Sequence, residues 1–222
     1  MTIRIDQLYA RLFDHFGPQH WWPGQSPFEV IVGAVLTQNT SWINVRRAID
    51  RLREADLLDP QAMYDLDLDE LAELIRPAGY YRLKARRLNN LLALVIEQYG
   101  GSLERMFSVD MPSLREALLS VNGVGPETAD SILLYAAEMP SFVVDTYTHR
   151  ILARHGMIGF DADYHQIKCF FEDTIEPDVA RYNEFHALLV RVGHAHCRRK
   201  PKCDGCPLEA LLPGGEPCTP DF

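Results

Sequence analysis

Apolar residues recur at helical spacing along nearly the whole chain, and no stretch alternates apolar and polar positions for long enough to make a half-buried strand. The pattern predicts helices over about 28–36, 43–56, 67–76, 83–99, 112–120, 127–138, 146–155, 164–172 and 178–193. Phe28 to Leu36 (FEVIVGAVL) is almost wholly apolar and reads as a buried helix, although its β-branched residues make it the segment most open to being taken for a strand. Pro18, Pro23, Gly79, Gly100, Gly101, Gly123, Gly125, Pro140 and Gly156 mark the joints. An all-α chain without internal repeats is the expectation.

The 222 residues allow one large domain or two smaller ones, and a hydrophobic content of 47% is enough to build a core. No apolar run approaches the length of a bilayer span, so no membrane partner is expected. Met1-Thr2-Ile3-Arg4-Ile5-Asp6 lacks the basic-then-apolar order of a signal peptide, which points to the cytoplasm. The formal charge of -9 argues at first against a nucleic-acid partner, but binding needs only a local positive face. Acid concentrates at Glu54, Asp56, Asp59, Asp65, Asp67, Asp69, Glu70 and Glu73, whereas bases gather in residues 82–87 and 198–202. That segregation is compatible with a DNA face, and a solvated helical surface accounts for either run as readily.

The densest chemistry lies in residues 118–132. Two amphipathic segments flank a turn with Gly123 and Gly125 around apolar Val124. Glycine permits positive φ and a close approach of phosphate to the backbone. Pro126 suits the first position of the second helix, whose early amides have no intrahelical acceptor and can face an anion. Further on, Asp145 follows the extended Ser141-Phe142-Val143-Val144 and precedes a helical pattern, as a helix N-cap would. Of five cysteines, Cys169 stands alone, while Cys197, Cys203, Cys206 and Cys218 crowd the C-terminal end. Without a secretion signal such clustering favours an iron–sulfur or zinc site over disulfides.

Together, Val121-x-Gly123-Val124-Gly125-x-x-Thr128-Ala129 and Val144-Asp145-Thr146 resemble the helix-hairpin-helix motif and catalytic aspartate of the endonuclease III superfamily of DNA glycosylases. Val35-Leu36-Thr37-Gln38-Asn39-Thr40, Gly79 to Ala85, Phe185 to Gly193 and the terminal cysteines extend the resemblance over about residues 25–206. Within that group, Trp21-Trp22-Pro23 and Leu36 to Thr40 are most similar to the 3-methyladenine glycosylases.

The resemblance implies two helical domains with a cleft between them. One spans 25–135 and carries the hairpin; the other is built from 1–24 and 136–222 and carries Asp145 and the cysteines. It implies a monomer that flips a damaged or mismatched base out of double-stranded DNA. Gln38 would fill the gap in the duplex, and Tyr80 or Tyr81 would wedge beside it. Arg82, Lys84, Gly123, Val124, Gly125 and Thr128 would bind DNA. Trp21 and Trp22 would stack on the base, unless they only close the core.

Asp145 would stabilise the oxocarbenium-like sugar. Glu127 stands where bifunctional members have a lysine, which implies hydrolysis without strand cleavage. Cys197, Cys203, Cys206 and Cys218 would hold a [4Fe–4S] cluster, with zinc as the alternative. The first cysteine gap is one residue shorter and the last six longer than the family pattern, which leaves Cys218 in doubt, with His194 or His196 as substitutes. Competing functions are a glycosylase/lyase for oxidised pyrimidines, a mismatch thymine or uracil glycosylase, and a non-catalytic lesion-binding protein.

Overall fold

The computed structural model describes residues 5–220, and among them helices and loops account for the whole chain, with no strand. Two compact units are distinguishable, Trp22–Met139 and the paired segments Met1–Trp21 and Pro140–Phe222. In chain order, α1 (Ile5–Phe16) lies in the paired-segment unit. The continuous unit contains α2 (Pro27–Leu36), α3 (Trp42–Glu54), α4 (Pro60–Tyr64), α5 (Leu68–Leu74) and α6 (Tyr81–Ala93). It continues with α7 (Leu103–Phe107), α8 (Met111–Ser120) and α9 (Pro126–Ser131). The chain then returns to the paired-segment unit with α10 (Thr146–Arg154), α11 (Tyr164–Glu172) and α12 (Val179–Ala195).

In the continuous unit α2 is the central helix, buried from Phe28 to Leu36 and packed on α3, α6 and α9. Ser26 starts it: the hydroxyl accepts from the Glu29 amide at 3.2 Å, and Pro27 takes the first helical position. A buried helix satisfies its own backbone, which a lone strand there could not, and this outweighs the β-branched composition. Both α6 and α9 run into single π turns, Leu94–Gln98 and Ile132–Ala136. Periodicity predicts neither α1 nor the one-turn helices α4 and α7. The latter two are started by caps, Asp59 accepting from the Gln61 and Ala62 amides and Ser102 from that of Arg105.

The paired-segment unit is organised around α12, against which α10 and α1 pack. Its core is aromatic: Phe142 stacks on Phe171 at 3.9 Å, and Tyr182 meets Phe142 edge-on at 5.3 Å. Among the described residues after α12, the only regular elements are the short 3-10 turns Glu209–Leu211 and Pro213–Gly215, anchored by buried Leu208 and Leu212.

Candidate functional site

In the continuous unit, α8 and α9 flank a tight turn. Buried Val121 and Val124 seat it on the core, and the Val124 amide donates to the Val121 carbonyl at 3.0 Å. Gly123 has φ +101, and a Cβ there would collide with the Arg87 side chain, so only glycine fits. Gly125 is exposed and caps α9 by its backbone; a Cβ would meet nothing within 4 Å, so the ground beside the start of α9 is open. Beneath the turn, fully buried Asp130 accepts from Arg115 Nε at 2.8 Å and Nη2 at 3.0 Å, a two-pronged bond that locks α8 to α9. Glu127 lies exposed in the first turn of α9.

The loop after α2 is tied to this hairpin. Gln38 Nε2 donates to the Gly123 carbonyl at 3.1 Å and to Thr128 Oγ1 at 2.9 Å, and its Oε1 accepts from Arg87. Lys84 is buried inside α6, with Nζ donating to the Leu36 carbonyl at 2.7 Å and the Ala78 carbonyl at 2.8 Å. Burial, reinforced by the neighbouring Arg87 charge, pushes its pKa down to about 8. Arg82 is exposed beside Tyr81, its guanidinium carbon 5.8 Å from the ring centre. Tyr80, at φ +47, is 70% exposed.

Trp22 packs edge-on to Trp42 at 5.0 Å and lies 5.3 Å from the Tyr135 ring. It covers Gly33, whose missing Cβ would sit 3.2 Å from the indole. Trp21 is half-buried.

In the other unit, the buried run Ser141–Val144 delivers Asp145 to the start of α10 in extended conformation. Asp145 Oδ1 accepts from the Thr148 amide at 2.7 Å and from Thr148 Oγ1 at 2.9 Å. Its Oδ2 stands 3.9 Å from Nε2 of His186 on α12. Burial lowers the His186 pKa, with the Asp145 charge opposing. The cap therefore occupies one carboxylate oxygen and leaves the other outside the Thr148 bonds.

Cys197, Cys203 and Cys206 line one cavity with Arg154, His155 and Lys202. Burial raises the pKa of both Cys203 and Cys206, and the neighbouring thiols raise it further. Cys218 lines a second cavity with Arg150, Arg154 and Arg199. Arg154 belongs to both: Nη1 donates to Cys197 Sγ at 3.3 Å, and its carbonyl accepts from the Cys218 amide at 2.8 Å.

Residues 32–177 match the HhH-GPD superfamily of base excision DNA repair proteins. The chain belongs to that superfamily. It is 50% identical over 207 residues to a Methanocaldococcus jannaschii protein whose name proposes a DNA repair glycosylase, covering 92% of this chain and 94% of that one. Helicobacter pylori 3-methyladenine DNA glycosylase bound to 1,N6-ethenoadenine superposes with a TM-score of 0.70 at 29% identity, over 86% of this chain and 94% of that one. An endonuclease III in non-covalent complex with DNA superposes with a TM-score of 0.82 at 26% identity, covering 97% of each. This HhH-GPD chain is accordingly a base excision repair DNA glycosylase with the endonuclease III fold, and DNA is its partner.

Three of the expected DNA contacts need correction in this HhH-GPD glycosylase. Lys84 cannot reach a phosphate: it shares the inward phase of α6 with Ala85 and Leu88, and its ammonium serves two carbonyls. Thr128 is buried with its hydroxyl bonded to Gln38, and the Val124 side chain lies in the core, so neither offers a side chain to DNA. Gly123, Gly125, Arg82 and Gln38 remain at or near the surface. Reading the sequence missed Arg87, Trp42 and Tyr135, which join the Gln38 and Trp22 clusters, and His186. His186 lies inside the Phe185–Gly193 motif, and no local signal connects it with Asp145.

The donor set also bears on the cofactor of this HhH-GPD glycosylase. Three thiols line one cavity, where burial and the neighbouring thiols hold the pKa of Cys203 and Cys206 up, and this donor set fits a cationic centre that would take thiolates. Among the described residues, no three histidine, cysteine or acidic side chains converge closely enough to hold a single metal ion.

Proposed function

We propose that this glycosylase is monofunctional and hydrolyses the N-glycosidic bond of an alkylated purine, such as 3-methyladenine, in double-stranded DNA. The observation that carries the reading is the Asp145 carboxylate, with Oδ1 fixed by Thr148 and Oδ2 not engaged by that cap. As the bond from the sugar to the base breaks, positive charge develops on the sugar, and a fixed carboxylate stabilises it. Water then adds to the anomeric carbon and its proton leaves through Asp145. An alkylated purine already carries positive charge, so it departs as a neutral base without a general acid. Trp21 and Trp22 are the proposed stacking groups for that electron-poor ring. The 29% identical H. pylori 3-methyladenine glycosylase supports this substrate class.

Glu127 supports hydrolysis over lyase chemistry, because a carboxylate cannot form a Schiff base with the sugar. Elsewhere, the Lys84 amine is held by two carbonyls, and that of Lys168 by Glu172 and Ser141. We further assign backbone contacts with DNA phosphates to Gly123 and Gly125, a phosphate contact to Arg82, and the gap in the duplex to Gln38 and Tyr80. Cys197, Cys203, Cys206 and Cys218 would hold a [4Fe–4S] cluster whose contribution is to cross-link the tail.

A panel of duplexes bearing single lesions, scored for base release with and without alkaline cleavage, tests the reading. The expected pattern is release of alkylated purines, nicking only after alkali, and loss of release in Asp145→Asn with binding retained. Strand cleavage without alkali, accompanied by a borohydride-trapped adduct that one lysine substitution abolishes, would replace it with the bifunctional mechanism.

A further inference from the structure

His186 is 6% exposed on α12 and takes no part in the chemistry described so far. Its Nε2 faces the Asp145 oxygen that Thr148 leaves unheld, at 3.9 Å, while Oδ1 is committed to two bonds. We infer that His186 is a positioning residue for base excision: its Nε2 sets where Oδ2 of Asp145 stands, and, when the imidazole takes a second proton, it binds that oxygen and withdraws its charge from the sugar. The inference rests on the reading that Asp145 acts at the sugar.

The surroundings support both halves. From α10 the charge acting on His186 is that of Asp145, while burial keeps the imidazole below its ordinary pKa. From α1, Tyr9 packs edge-on against the adjacent Phe185 at 5.2 Å. On α12 itself, Tyr182 one turn earlier donates its hydroxyl to the Ile175 carbonyl. Both phenols have pKa values raised by burial, Tyr182 to about 12, so neither carries charge near neutrality. Burial therefore favours the neutral imidazole, the form that does not offset the Asp145 charge. A cationic residue in its place would cancel that charge permanently; an apolar one would leave Oδ2 without a polar group behind it.

The test is the pH profile of single-turnover excision on the best lesion from the panel above. The wild-type rate should fall on acidification with a midpoint below the ordinary histidine value of about 6.5. His186→Gln, which can present an amide Nε2 to the same oxygen but cannot titrate, should retain a measurable neutral rate and lose that acid limb. His186→Ala should lose roughly tenfold to a hundredfold at neutral pH, as expected when a reacting group is displaced. A uniform fall at every pH in His186→Gln, with the limb intact, would reduce His186 to a packing residue and overturn the inference.

A second measurement needs no activity. In the full-length protein, the NMR titration midpoint of His186 should move down in Asp145→Asn, because the opposing charge is gone. An unmoved midpoint overturns the pairing even if the variants of His186 fail to fold. Excision that survives Asp145→Asn while the midpoint shifts would instead sink the proposed role of Asp145 and leave the pair standing.

Discussion

The hairpin region and the cysteine-bearing tail are held by opposite means. Around the hairpin, side chains from α6, α8, α9 and the loop after α2 bind one another and nearby carbonyls: Arg115 to Asp130, Gln38 to Gly123 and Thr128, and Lys84 to Leu36 and Ala78. These bonds close within buried or half-buried ground, where each is worth most and where an unmade one costs most. Among the described residues, the tail after α12 has short 3-10 turns and buried Cys197, Leu208 and Leu212, and α10 and its C-cap hold it mainly by its backbone: Arg150 donates to the Cys197 carbonyl, Arg154 to Cys197 Sγ and the carbonyls of Arg198 and Arg199, and His155 meets the Leu208 carbonyl. A loop surface can thus be made rigid by its own polar interior, whereas in a segment of short turns and few buried side chains a cross-link such as the proposed cluster would contribute most.

The contrast is broken most severely at the tail. Replacing Cys203 and Cys206 together by Ser should abolish bound iron and expose residues 196–220 to limited proteolysis. Iron content and cleavage mapping read the outcome, and a protease-resistant, iron-free tail would show that the turns and leucines suffice. Next in size is Asp130→Ala, which strands a half-buried Arg115 and should destabilise the protein by about 3–5 kcal/mol in denaturant melts. Gly123→Ala should cost about 2 kcal/mol, from overpacking against Arg87 and from positive φ, and weaken DNA binding with it.

The smallest effect sharpens the comparison through pH. Because the folded pKa of Lys84 is about 8, against the ordinary value of 10.5, the unfolded chain binds more protons between those values. Stability contributed at this site therefore rises as pH climbs through that window. Measured relative to Lys84→Met, wild type should gain on the order of 1–2 kcal/mol from pH 8 to pH 10.5. A pH-independent difference would mean that Lys84 holds its ordinary pKa inside the fold.

Much of this was legible in the sequence, and the exceptions have physical causes. The α2 boundary follows from Ser26-Pro27, and the hairpin from Gly123, Gly125 and Pro126, because caps and turns are local chemistry. The burial of Lys84 was present in the helical phase it shares with Leu88 and Leu91, but a run of bases suggests a wet surface and hides an inward stem. Thr128 was assigned to DNA for its place in the motif, whereas its phase with Ala129 and Ile132 puts the hydroxyl inside. Trp22 reads in the sequence as either a stacking platform or a closure of the core, and its contacts with Trp42 and Tyr135, distant along the chain, have no local signal. His186 and Asp145 meet only because α10 and α12 pack together, which no periodicity reports.

That packing depends on an absence. Gly193 in α12 has no side chain, and the Tyr147 ring lies where its Cβ would point. Glycine inside a helix costs about 1 kcal/mol relative to alanine, and here that penalty leaves room for the Tyr147 ring against the α12 backbone. Tyr147 is the second residue of α10, so a single methyl group on α12 would act as a shim beneath the end that bears the carboxylate. On the proposed role of Asp145, excision is therefore exposed to drift at a position with no side chain of its own, far along the chain from the group whose aim it would spoil.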